Sequence, residues 1–181
     1  MRDAFWSVAF AAAVVVVAGL APAAHAAADI GQTAPSLVVK QLDGPTFDLS
    51  ALRGKVVIIN FWATWCPPCR EEMPALNAFY RRHHDQGLEM IGLSADRPHD
   101  RASVREAMQS FSYPAAMLDD STANGFGTPS VLPITYVIDR AGVVRVRLTP
   151  DETPVTEKSL AGVVLPLLQQ PGAVTPSPKQ K

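Results

Sequence analysis

The sequence predicts an α/β domain with a mainly parallel central sheet that ends in an antiparallel hairpin. Three observations carry this. Residues 56–63, Val-Val-Ile-Ile-Asn-Phe-Trp-Ala, form a short and nearly all-apolar run rich in β-branched side chains, as expected of a strand covered on both faces. Just after it the apolar residues change to a helical period, at Cys69, Met73, Leu76 and Tyr80. Strand and helix patterns then alternate along the chain, which argues for parallel strands joined by helical crossovers.

The elements follow in order. Residues 37–49 hold strand-like residues around the turn cluster Asp43-Gly44-Pro45 and read as a small hairpin. The buried strand at 56–63 comes next, then a helix that Gly87 stops. Residues 88–95 form a second buried strand. Val104, Met108 and Phe111 mark a second helix, with Asp100 as its cap. Residues 114–118 are another short strand. Residues 134–138 and 143–148 flank the turn Asp139-Arg140-Ala141-Gly142. In the second arm Arg145 and Arg147 alternate with Val144, Val146 and Leu148, so one face is wet. Thr153-Pro154 starts a last helix with proline at its first position. Leu160, Val163, Val164 and Leu167 are its apolar stripe, and Pro166 kinks or ends it.

Composition bounds the rest. The chain has 181 residues, 16 Lys+Arg against 17 Asp+Glu, and a net charge of −1. No basic field is present to hold nucleic acid, and a monomer is expected. The first 26 residues stand apart. Residues 4–20 are apolar except for Ser7 and Gly19, follow Arg2, and precede Ala24-His25-Ala26. This reads as a secretory signal cleaved after Ala26. An uncleaved anchor is the alternative, since about 17 apolar residues lie at the lower edge of a membrane span. Both place the remainder outside the cytoplasm, in the periplasm. Residues 27–170 form the expected domain, long enough to bury about 70% of its unfolded surface. Residues 171–181 carry Pro171, Pro176 and Pro178 and read as a disordered tail.

Cys66 and Cys69 are the only two cysteines, too few for a disulfide scaffold or a four-cysteine zinc site. They stand where a strand hands over to a helix, and a helix start favours a thiolate. Cys66, upstream and more exposed, reads as the nucleophile. Cys69, on the apolar stripe, reads as the resolving thiol of an exchange through a mixed disulfide. Other readings compete. A purely structural disulfide would close a tiny loop with little entropic benefit. A zinc site with His83 and His84 conflicts with ligand spacing, because adjacent helical residues point about 100° apart. Arg81-Arg82-His83-His84 reads instead as a solvated helix end. An inert binding module conflicts with the placement of the thiols. A copper-handling chaperone using both cysteines would need a third ligand, and nearby Met73 sits on the apolar stripe. No Pro-x-x-x-Thr/Ser loop of peroxidatic type precedes Cys66.

Phe61-Trp62-Ala63-Thr64-Trp65-Cys66-Pro67-Pro68-Cys69 resembles the active-site stretch of the thioredoxin superfamily. Within it the chain is most similar to the TlpA/ResA/CcmG-like branch of bacterial extracytoplasmic thiol–disulfide oxidoreductases. The lead-in Gly31-Gln32-Thr33-Ala34-Pro35 and the segment from Leu49 to Lys55 resemble that branch. So does Leu132-Pro133-Ile134-Thr135, which resembles the segment bearing the superfamily's cis-proline. Residues 88–111 sit where the branch has an insertion.

The resemblance implies a thioredoxin-like fold, with a central mixed sheet flanked by helices, an N-terminal β-hairpin and a β-α insertion. It implies a cis Pro133 beside the cysteines, whereas an ordinary trans proline before a strand is the plain alternative. Leu132 would offer its backbone to an extended substrate segment. Trp65, Pro67 and Pro68 would border Cys66, and Trp62 belongs to the core. Pro74 falls where the superfamily's helix is kinked. Asn60 stands where thioredoxin carries a buried acid, so a proton relay to Cys69 needs another group. Glu72 matches a glutamate of ResA-like proteins and is the candidate proton relay; a solvated first-turn acid is the equal alternative, and Glu71 reads only as that.

Pro67 and Pro68 lack N–H groups, and Glu71 and Glu72 add negative charge nearby, with Arg70 opposing in part. Both effects disfavour the thiolate and predict a reductant of protein disulfides rather than a DsbA-like oxidant. DsbA-like chains also carry a larger helical insertion than this one. The only redox group expected is the Cys66–Cys69 disulfide, with no metal and no further cofactor. The resemblance implies a DsbD- or CcdA-type membrane protein as electron donor. It also implies clients with disulfides or CXXC and CXXCH cysteines, as in cytochrome c maturation or oxidase assembly. No CXXCH is present here, so the chain does not bind c-type haem itself.

Overall fold

A computed structural model describes residues 28–170. The expected signal at 1–26 and tail at 171–181 lie outside the described residues. Seven strands form one sheet: β1 (Leu37–Gln41), β2 (Thr46–Asp48), β3 (Val56–Trp62), β4 (Leu88–Ser94), β5 (Ala115–Asn124), β6 (Ile134–Ile138) and β7 (Val144–Leu148). Their order across the sheet is β2-β1-β5-β4-β3-β6-β7. Among the described residues three α-helices accompany it, α1 (Pro67–His83), α2 (Arg101–Met108) and α3 (Glu157–Gln169).

Every residue of β3 is buried. Its apolar run lies in the interior of the sheet, pairing parallel to β4 and antiparallel to β6. Side chains alternate between two cores. Val56, Ile58 and Trp62 join Met73, Leu76 and Phe79 of α1, Val104 of α2, and Leu160 and Val164 of α3. The right-handed crossovers β3-α1-β4 and β4-α2-β5 run in one direction across the sheet, which stacks both helices on one face. Val57, Ile59 and Phe61 point the other way, into a second core closed by Phe47, Leu49 and Phe126.

The sheet is more antiparallel than the strand–helix alternation suggests. Only β3–β4 and β4–β5 are parallel; β1–β2, β1–β5, β3–β6 and β6–β7 are antiparallel. The cause is β5, which extends well past the apolar residues that predict it. Its outer half, from Asp119 to Asn124, is not buried and pairs antiparallel with β1 across two register shifts. The hairpin therefore attaches to the main sheet through polar backbone that carries no apolar period.

Helix ends also differ from expectation. α1 continues through Pro74, and α3 through Pro166. A short 3-10 turn follows α1, and Gly87 closes it at φ 94°, a left-handed conformation suited to glycine. Asp100 occupies the cap position of α2, but its side chain bonds no helix amide and lies 3.5 Å from His99. α3 starts at Glu157 rather than at Pro154, because Thr156 and Ser159 form a reciprocal capping box. Ser159 N–H donates to Thr156 Oγ1 at 3.0 Å, and Thr156 N–H donates to Ser159 Oγ at 2.9 Å. His83 is not part of a solvated helix end. It is buried and packs tilted against Phe79 with ring centroids 4.5 Å apart, while His84 packs likewise against Tyr80 at 4.7 Å. Arg81 and Arg82 are exposed.

Thr156→Ala removes the side-chain half of the α3 cap and is expected to lower stability by about 1 kcal/mol. A shift of the urea midpoint at constant slope would show it; an unchanged midpoint would mean that the box contributes nothing.

Candidate active site

β3 delivers the chain to a tight turn at Ala63–Cys66, closed by Cys66 N–H donating to Ala63 O at 3.2 Å. The helix starts at the next residue. Cys66 is its N-cap, with φ −102° and ψ 100°. Prolines fit this start, since the first amides of a helix have no partner inside it. The consequence is electrostatic. Of the first three helix residues only Cys69 has an N–H to give, and it donates to Cys66 Sγ at 3.3 Å. Arg70 N–H goes to Cys66 O. One amide, where most helix starts offer more, stands ready for a charged sulfur at Cys66.

Cys66 and Cys69 are joined in a disulfide. Both are buried, Cys66 at 5% exposure and Cys69 at 1%, so the upstream residue is the less deeply buried of the two. Trp65 stands out at 65% exposure, with Pro67 and Pro68 exposed beside it. Trp62 is fully buried. The Leu132–Pro133 bond is cis. Pro133 is buried and Leu132 half-buried, packed between the two cores. Val131, 44% exposed, adds apolar surface next to them. A groove of about 1000 Å³ borders the turn on the side of α2, walled by Trp65, Pro67, Arg70, Glu71, Glu106 and Phe111.

Two expectations about charge are corrected. Glu71 and Glu72 lie in the second turn of α1, not the first, because the helix begins at Pro67. Glu72 is also not solvated. It is 7% exposed and sits one turn beyond Cys69 on the buried side of α1. Its Oε1 accepts from Val155 N–H at 3.1 Å, while Oε2 has no hydrogen-bond partner. Burial raises its carboxyl above the ordinary glutamate range, and the Val155 bond opposes this in part. Asn60 is buried and donates to Thr135 Oγ1 at 2.9 Å, with Oδ1 unpartnered. Met73 is buried, in the core rather than at the surface beside the sulfurs.

Two contributors went unread in the sequence. Val155 precedes α3 and reaches Glu72 with a backbone amide, which no side-chain pattern could signal. Asp96 is 3% exposed and accepts three bonds at the turn. Thr64 N–H donates at 2.9 Å, Thr64 Oγ1 at 2.6 Å and Ser94 Oγ at 2.7 Å. A Ser-x-Asp at the end of a buried strand was the available signal.

A disulfide-linked Cys-x-x-Cys at the start of the helix after a buried inner strand, whose antiparallel neighbour β6 follows a cis-proline, makes this thioredoxin-like fold that of a thiol–disulfide oxidoreductase. Known proteins agree. The sequence profile of the AhpC/TSA family matches residues 30–147. Thiol-disulfide oxidoreductase ResA of Bacillus cereus is 36% identical over 126 residues, which are 68% of this chain and 72% of that protein. Thioredoxin-like protein YneN of Bacillus subtilis is 32% identical over 118 residues, 64% of this chain and 68% of its own. Among solved structures, a thioredoxin-family thiol:disulfide interchange protein of Chlorobium tepidum superposes with a TM-score of 0.63 at 27% identity, covering 77% of this chain and 98% of that one. A secreted thiol-disulfide isomerase of Corynebacterium glutamicum gives 0.61 at 26% identity, covering 77% and 86%. The chain belongs to the AhpC/TSA family, and its likeness to ResA marks it as a thiol–disulfide oxidoreductase.

Glu72 yields a test of stability. A carboxyl whose folded pKa lies above its unfolded value binds more protons folded than unfolded, so stability is fullest below the unfolded pKa and falls as pH rises through the folded one. Glu72→Gln keeps the acceptor for Val155 and removes the titration. The variant should match the wild type near about pH 4, where an ordinary glutamate is mostly protonated, and exceed it at neutral pH. Urea midpoints at both pH values check this, and a difference independent of pH would contradict it.

Proposed function

We propose that this protein reduces disulfides of other proteins in the periplasm, with Cys66 as attacking sulfur and Cys69 as resolving sulfur. The single Cys69 amide available to the Cys66 sulfur carries the reading. Fewer donors leave the thiolate, and with it the reduced form, less favoured, and a couple with a disfavoured reduced form gives up its electrons. The exposed Glu71 adds negative charge in the second turn, against the exposed Arg70.

The exchange runs in two steps. The Cys66 thiolate attacks one sulfur of a client disulfide; a mixed disulfide forms and the other client sulfur leaves as a thiolate that takes up a proton. Cys69 then loses its proton and attacks Cys66. The Cys66–Cys69 disulfide closes and the second client sulfur leaves. Two electrons pass to the client, and Cys66 and Cys69 are oxidised. Glu72 is the proposed proton relay for Cys69. Its buried, proton-favouring carboxyl sits one helical turn away, and Asn60 on β3 cannot titrate. Trp65, Pro67, Pro68, Leu132 and cis-Pro133 form the client-facing rim, with the Leu132 backbone open to a short strand addition.

The remaining parts of the reading are proposals of the same kind. Residues 1–26 direct export, residues 27–170 are the working domain, and the protein acts as a monomer without metal or cofactor beyond its own disulfide. A DsbD- or CcdA-type membrane carrier re-reduces it. Its clients carry disulfides or CXXC and CXXCH cysteines, with cytochrome c maturation or oxidase assembly as the use. Among the described residues no helix is long and apolar enough to cross a membrane.

Trapping tests this. Cys69→Ser cannot resolve the mixed disulfide, so it should accumulate covalent adducts with client proteins that dithiothreitol releases. The expected adducts form through Cys66 and are absent from the Cys66→Ala, Cys69→Ser double variant. A reduced, alkylatable Cys66 that traps no protein would overturn the exchange role.

A further inference from the structure

Asp96 stands where β4 leaves the sheet, and its placement has no part in the scheme above. A carboxylate that is 3% exposed is costly unless its oxygens are satisfied. Here both are. Oδ1 accepts from the Thr64 hydroxyl at 2.6 Å, and Oδ2 accepts from Thr64 N–H at 2.9 Å and the Ser94 hydroxyl at 2.7 Å. The Ser94 oxygen in turn accepts from Asp96 N–H at 3.1 Å. Bonds to a charged acceptor are among the stronger ones a protein makes.

Two of these bonds, from Thr64 N–H and the Thr64 hydroxyl, fall on one residue of the turn that delivers Cys66, while the Ser94 bond fixes the carboxylate from its own strand. Thr64 and Trp65 are the two corners of the Ala63–Cys66 turn, closed by Cys66 N–H to Ala63 O. The base of the turn is held separately, by Ala95 N–H donating to Trp62 O at 2.8 Å. Asp96 therefore holds the first corner by backbone and side chain together, while the second corner, Trp65, projects into solvent. Thr64 and Trp65 also line the groove of about 1000 Å³ that borders the turn. Nothing else among the described residues bonds the Thr64 side chain or its N–H.

From this geometry we infer that Asp96 is a positioning residue for thiol exchange: through Thr64 it holds the Cys66 turn so that the sulfur stays against the Cys69 amide and Trp65 stays at the rim. The inference rests on Cys66 being the attacking sulfur. Attack on a disulfide needs the incoming sulfur aligned with the bond it breaks, and small misplacements of a reacting atom are costly in rate.

Two variants separate positioning from charge and from folding. Asp96→Asn removes the anion and turns an acceptor into a donor facing Thr64. Thr64→Val, at a partly exposed site, keeps the anion and the backbone bond and loses only the hydroxyl bond. In both, the reduced protein is assayed for reduction of a protein disulfide such as insulin, and for the pH dependence of Cys66 alkylation by iodoacetamide. Circular dichroism checks the fold. The rate should fall roughly tenfold in Asp96→Asn and roughly threefold in Thr64→Val. With the charge unchanged, Thr64→Val should also move the Cys66 titration upward as the sulfur drifts from the Cys69 amide. Thr64→Ser, which restores the hydroxyl, should recover what Thr64→Val loses. If Asp96→Asn does not fold, Thr64→Val decides alone. A folded Thr64→Val with wild-type rate and wild-type titration would overturn the positioning role while leaving the exchange role intact. Alkylation of the reduced wild type at Cys69 in place of Cys66 would overturn both.

Discussion

At the start of α1 a cysteine sulfur takes the place that a hydroxyl or carboxylate fills in most helices. Cys66 Sγ caps the helix, and the cap is a single bond from Cys69 N–H. The two prolines between them suit the helix geometry and supply no amide. Fold and chemistry meet at this bond. It seats the sulfur on the positive end of the helix, where a thiolate is favoured, yet limits how much of that favour the sulfur receives. A site built this way can form a thiolate and still give its electrons away.

Keeping one sulfur against one amide requires a rigid frame, and the sheet supplies it. β3 is interior to the sheet and wholly buried, so the point at which the chain leaves the sheet is fixed by pairing on both sides. α1 is clamped below that point by Met73, Leu76 and Phe79. β6 brings cis-Pro133 to the same end of the sheet because it runs antiparallel beside β3. α3 packs against α1 in the same core, and Val155, just before α3, donates its N–H to Glu72. β6 and the start of α3, distant in sequence, thus meet β3 and α1 within a few residues of Cys66, and a buried carboxylate at the end of β4 bonds the turn between β3 and α1.

How much of this was legible follows from the kind of signal involved. The β3 run, the helical stripe from Cys69 to Tyr80 and the two-cysteine spacing are periodic or compositional, and the sequence shows them directly. The cis bond at Pro133 was reached only through resemblance, because an X-Pro pair alone does not tell cis from trans. The outer half of β5 was missed since its pairing with β1 is made by backbone among polar side chains. The start of α3 was placed early because Thr153-Pro154 looks like a helix opening, whereas Thr156 and Ser159 satisfy the first amides better. The environment of Glu72 was out of reach for the same reason: its partner is a backbone amide 83 residues away. The place of the acidic charge depends on helix register, too: the start at Pro67 puts Glu71 and Glu72 in the second turn.

The proposed reductant role rests on Cys66 having too few donors to hold its electrons. The equilibrium reduction potential of the Cys66–Cys69 couple tests it most directly, read from the fraction oxidised in defined dithiothreitol or glutathione buffers. The expected value lies well below the strongly oxidising range at about −120 mV and closer to the reducing range at about −270 mV. A midpoint at the oxidising end would mean that the thiolate is strongly stabilised by groups other than the Cys69 amide, and would contradict the reductant role.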